Sequence, residues 1–286
     1  MLSRGARAVH RLTAVGYGAF GATLFLAPSW AADRFPWTIS PFVAMTIGGW
    51  CLGVTAFTWI GGRRGPVGAL VPVLAFAWLF GLSEIAVLYL DKPAFDVSAP
   101  LAIPYVAALA LTLASAGFGL LEIAHRRSSA RGSADGSDRA RPVTTAILVA
   151  AALGLGALGV VSGVSGIVSP ATSGKVFPEA VTLFTVRAFA ALSLSLALGA
   201  AVAAVGRSRV AAAWLAVGTI FLLGPTLIAA IVNLDAFDLV NRPLGWLYLG
   251  AIGLGLVLAV GHAWFERVVL RSATPMQAGI APAPGA

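Results

Sequence analysis

Charge is scarce in this chain. Of 286 residues only 10% are charged, against about 25% in a typical soluble domain. Cysteine is scarcer still: Cys51 stands alone, so no internal disulfide can form. The three histidines and one cysteine show no metal-ligand spacing with the acids, and no Gly-x-Ser-x-Gly elbow or paired-carboxylate motif lies inside an apolar run. These absences weigh against metal chemistry, cofactor chemistry and intramembrane catalysis, so the chain is expected to be no enzyme and to hold no cofactor. Lysine is rare too, with two against seventeen arginines. The formal charge of +8 does not point to nucleic acid, because the basic residues sit in short loops and not on a basic domain.

What the chain has in quantity is apolar surface. Hydrophobic residues make up 59% of it, more than a water-soluble protein of this length can bury. A bilayer core needs about 20 apolar residues per helix. Runs of that kind are read near 9–27, 41–60, 67–90, 100–123, 143–168, 180–204, 209–232 and 243–264. No alternating ten-residue segments of the transmembrane-strand type occur. The expected fold is all-α, a polytopic membrane protein of eight transmembrane helices.

The sequence also repeats itself. Ala94-Phe95-Asp96 returns as Ala236-Phe237-Asp238, and Phe35-Pro36 as Phe177-Pro178. Pro28 and Phe42 return as Pro170 and Phe184, and every echo has an offset of 142 residues. Four helices per copy is an even number, so both copies enter the membrane in the same direction. The expected relation is a pseudo-two-fold axis along the membrane normal, unlike an inverted-repeat transporter. The domain reading is a first four-helix repeat at 1–125, a cytoplasmic linker at 126–142, a second repeat at 143–271 and a disordered tail at 272–286. The first helix mimics a signal peptide, but its counterpart in the second copy is internal, so it is expected to be retained.

Basic residues fix the expected orientation. Fourteen arginines fall on one side of the spans, against Arg34, Lys92, Lys175 and Arg242 on the other. The positive-inside rule then puts both termini in the cytoplasm, and the expected location is the bacterial cytoplasmic membrane. Trp30, Trp37, Tyr89, Tyr105, Trp246 and Tyr248 read as aromatic anchors at the outer interface. His10, His125 and His262 read as interfacial side chains facing headgroups.

Two Gly-x-Gly-x-x-Gly patterns, Gly16 to Gly21 and Gly154 to Gly159, mimic a dinucleotide fingerprint. They lie inside spans with no preceding strand, so the pattern signals close helix packing instead. Gly49-x-x-x-Gly53 is read the same way. The two glycine runs are 138 apart, which implies about one extra helical turn in the second copy before Pro170.

Glu84 and Arg187 are the ionisable residues placed clearly inside spans, at similar depths of roughly 9–10 Å at ~1.5 Å per residue. They are the candidate intramembrane polar pair, expected to form an ion pair or share a polar cavity near the pseudo-axis. Their counterparts in the other copy are Thr226 and Met45. The repeated outer-loop motifs, Phe35, Pro36, Phe177, Pro178, Phe95, Asp96, Phe237 and Asp238, read as stereotyped turns: proline fixes the backbone and aspartate caps the next turn.

The run Leu26-Ala-Pro-Ser-Trp-Ala-Ala-Asp-Arg-Phe35-Pro-Trp-Thr-Ile-Ser-Pro41-Phe, followed by Gly48-Gly-Trp50, resembles bacterial four-helix membrane proteins of unknown function. Those share an Ala-Pro, a Phe-Pro-Trp and a proline before a glycine-rich second helix. In general layout each copy is similar to DoxX-like four-helix proteins. The resemblance implies four helices per copy and an arginine early in the second helix. Only the second copy has that arginine, Arg187, and it carries Glu179 where the first has Trp37. Such a likeness speaks to fold and leaves activity open. The functional expectation is a non-catalytic accessory or scaffold subunit, or a holder of an apolar ligand. The alternative is a small-solute or lipid transporter working at the interface between the copies. Membrane lipid and a membrane-protein partner are the expected contacts; the sequence leaves oligomeric state open.

Overall fold

The computed structural model describes residues 2–61, 67–129, 140–168, 175 and 177–272. The echo at Pro170, the middle of the expected linker and the tail beyond 272 lie outside these residues. Among them the chain is all-α, with no strand. The helices are α1 Arg4–Leu26, the short α2 Pro28–Ala32, α3 Pro41–Gly61, α4 Val67–Leu90, α5 Ala102–Ser129, α6 Pro142–Val168, α7 Leu183–Gly206, α8 Arg209–Val232 and α9 Gly245–Ser272. Seven of them, α3 to α9, are long and apolar enough to cross a bilayer, which makes the chain a multi-pass membrane protein. α1 has 23 residues, enough for the same distance at ~1.5 Å per residue, but it is less apolar than the rest. His10, Arg11, Thr13 and Thr23 dilute it.

Local chemistry sets the helix ends. Ser3, Thr182 and Ser208 cap α1, α7 and α8 by accepting the amides of Ala6, Thr185 and Ala211, which satisfies donors a helix start leaves open. Pro41 and Pro142 open α3 and α6, where a missing amide hydrogen costs nothing. α7 turns into α8 through Arg207, held at φ 49°.

The helices do not sort into two separate bundles. α1 packs on α3 and α6 on α7, but α3 and α4 barely touch, as do α7 and α8. Instead α3 lies along α8, and α4 along α7. Each middle helix therefore packs on the other half as well as on its own, and α4 and α8 make their largest contacts there.

Glycine permits these close approaches. A β-carbon at Gly53 would lie 2.5 Å from the Leu222 β-carbon, and one at Gly49 3.0 Å from the Thr226 hydroxyl. At Gly218 of α8 it would lie 2.0 Å from the Phe57 ring of α3. The matching positions on the other interface swap roles: Gly199 of α7 receives Phe76 of α4, at 3.3 Å. Lipid gives helices no hydrophobic reason to associate, so such van der Waals fits carry the association.

Candidate functional site

The loops 27–40, 91–101, 177–182 and 233–244 gather at one end of the helices. There the sequence echoes meet. The Asp96 amide donates to the Pro36 carbonyl at 2.7 Å, and the Asp238 amide to the Pro178 carbonyl at 3.0 Å. Each aspartate then organises its own turn. Asp96 Oδ1 accepts from the Ser98 amide and hydroxyl, and Asp238 Oδ1 from the Asn241 amide and side chain. Those bonds from Ser98 hold the exposed Asp96 carboxyl below its usual range. The matching 3-10 turns, Lys92–Ala94 and Leu234–Ala236, place Phe95 and Phe237 so that each ring meets the opposite half. Phe95 stacks near Phe184, and Phe237 meets Phe42 edge-on at 4.8 Å.

Trp37, Tyr105 and Tyr248 are not lipid anchors, contrary to the expectation from sequence. All three are buried. Trp37 stacks on Phe184 at 3.8 Å between centroids, and its indole N–H donates to Thr185. Loop segments fold over them, so only Trp30, Tyr89 and Trp246 of the expected outer belt are exposed. His10 departs from expectation in the same way. It is 1% exposed, enclosed near Gly119 and Leu74, and does not reach headgroups.

The expected direct pair of Glu84 with Arg187 does not form. Arg187 Nη1 donates to Asp91 Oδ1 at 2.5 Å, while Glu84 Oε2 accepts from the Tyr105 hydroxyl at 2.8 Å. The reason is depth. α7 begins at Leu183, capped by Thr182, and not near residue 180. Arg187 is thus one turn from the end of its helix, level with Asp91 just past α4. Glu84 lies seven residues deeper, or about 10 Å at ~1.5 Å per residue. Position 142 residues away repeats the Arg187–Asp91 contact in neutral form: Asn233 Nδ2 approaches Met45 Sδ at 3.4 Å. The same two positions hold a cation and an anion on one interface, and a thioether and an amide on the other.

Glu84 lines a small cavity of about 30 Å³, bounded by α1, α3, α4 and α5 of the first half and by the Ala188 turn of α7. That is room for one or two waters. Its Oε1 has no hydrogen-bond partner among the described residues. Tyr17, which also lines the cavity, bonds to Thr112 at 2.6 Å. Sequence reasoning passed over Tyr17 and Thr112, and read Tyr105 as an interfacial anchor and Asp91 as an outer-loop acid. A signal existed: where the first half has Tyr17 and Glu84, the aligned positions of the second carry Leu155 and Thr226.

Near the loops, Ser40 bonds to the Glu179 carboxyl, and Arg242 donates to the Glu179 carbonyl at 2.9 Å. Burial pushes that carboxyl above its ordinary range, only partly offset by Ser40 and Arg242. Among the described residues no three His, Cys, Asp or Glu side chains gather where they could hold a metal ion. No protein-family model, curated protein or solved structure matches this chain.

Proposed function

We propose that this chain is a non-catalytic accessory or scaffold subunit of a bacterial cytoplasmic membrane, with eight spans and both termini inside. The observation that carries the reading is the seam between the halves. Gly53 on Leu222, Gly218 against Phe57 and Gly199 against Phe76 leave no room for an added methyl, or require the neighbour to give way. A transporter working along that seam needs a path, and the cavity beside it admits one or two waters and stops short of Arg187. The reciprocal contacts, Phe95 with Phe184 and Phe237 with Phe42, support two parallel four-helix repeats about a pseudo-two-fold. The DoxX-like layout of each repeat belongs to the same proposal, as does α1 as a retained span.

The test is purification of the full chain in mild detergent, followed by mass spectrometry and vesicle assays. A second membrane protein retained in fixed stoichiometry is the expected result. A chain that purifies alone and, in vesicles, passes solutes or flips labelled lipid would replace the scaffold reading with the transporter.

A further inference from the structure

The cavity beside Glu84 asks for more than a structural explanation, and the inference goes beyond the scaffold reading. A carboxyl group at membrane depth must be matched by a proton, a cation or a donor. Among the described residues Tyr105 donates to Oε2 and none donates to Oε1, although the residue is 2% exposed. The space next to it is water-sized. Its wall is aromatic: Tyr17, Trp37, Trp50 and Tyr105 line it with Glu84. The tyrosine hydroxyls are already committed to Thr112 and Glu84. Few oxygens therefore remain for a hard metal cation, which wants a shell of them. Aromatic faces favour a soft monovalent cation, best one bearing N–H groups that can donate to a carboxylate.

From these observations we infer that the Glu84 cavity is a binding site for a small protonated amine of ammonium size. The ion's N–H donates to Oε1 and its charge is shared with the surrounding rings. The second half has no counterpart, since Thr226 and Leu155 stand where the first half has Glu84 and Tyr17, so the site is single.

The experiment uses the full chain in detergent micelles at constant ionic strength, with ammonium, methylammonium, sodium or tetramethylammonium chloride as the probe. Tryptophan fluorescence reads the cavity through Trp37 and Trp50, and thermal unfolding reads binding through linkage. Ammonium and methylammonium should give a saturable fluorescence change and a raised Tm. Tetramethylammonium is too large for the space and should give neither. Glu84→Gln should weaken ammonium binding about tenfold or more, the scale of one charge-assisted bond. Ala188→Val fills the cavity without touching the carboxyl and should abolish the response, which keeps the test open if Glu84→Gln fails to fold. An equal response to all four salts, a preference for sodium, or an unchanged response in Ala188→Val would overturn the assignment. None of these outcomes depends on whether a protein partner co-purifies.

Discussion

Two side chains, Asp91 and Arg187, tie α4 of one half to α7 of the other, and both are largely buried. Removing one partner of such a pair leaves an uncompensated charge. Arg187→Met should therefore cost about 3 kcal/mol, read by denaturation in micelles. The double change Arg187→Met with Asp91→Asn copies the native Met45–Asn233 contact. It should restore most of that loss, giving a large coupling energy in a double-mutant cycle. Glu179 yields a prediction of pH dependence. Its folded carboxyl titrates above the ordinary value of 4.5, so the folded state holds its proton longer than the unfolded chain. Its contribution is then most favourable in acid and is lost as pH rises through the folded value. Glu179→Gln should flatten that fall, seen as a smaller drop in Tm between acid and neutral pH. Asp96 has the opposite sign: its contribution is present above the ordinary aspartate value of 3.8 and is lost as pH falls through the lowered one.

At the scale of helices, glycine positions divide by what they face. Gly53→Ala pushes a methyl into Leu222 and should destabilise by about 1–3 kcal/mol. Gly250→Ala on α9 meets nothing within 4 Å and should be neutral or stabilising by up to ~1 kcal/mol through helix propensity. Comparing the two in one unfolding assay separates packing from propensity. Much of this level was legible in the sequence. Apolar runs located the helices, and Gly49-x-x-x-Gly53 marked a close approach, because both signals are local. The helix partners were not legible: hydropathy makes α3 a span and its glycine spacing makes it a packed one, but neither says that the neighbour is α8. The start of α7 was also misread by about three residues, because Val181 and Thr182 are compatible with a span until Thr182 is seen capping. That small error in depth was enough to assign Arg187 to Glu84 instead of Asp91.

For the molecule as a whole, contacts between α3 and α8 and between α4 and α7 make the halves interdependent. A chain cut between 130 and 139 should give two fragments that assemble when co-expressed and co-purify through a tag on either one. Expressed singly, each should fail to accumulate, since α4 and α8 lose their largest partners and α3 and α7 each lose one packed face. Independent four-helix bundles would instead fold and purify alone. The mismatched interface positions also act as a rule of recognition. Two first halves meeting each other would set the Phe57 ring against the Phe76 ring where a glycine is needed, and Asp91 against Met45. Two second halves would face Gly199 with Gly218 across a gap, and Arg187 with Asn233. Only unlike halves give ring into notch and cation onto anion. The exchange of roles between the two seams thus discourages self-pairing, so that when many copies share one membrane each half is directed to the complement on its own chain.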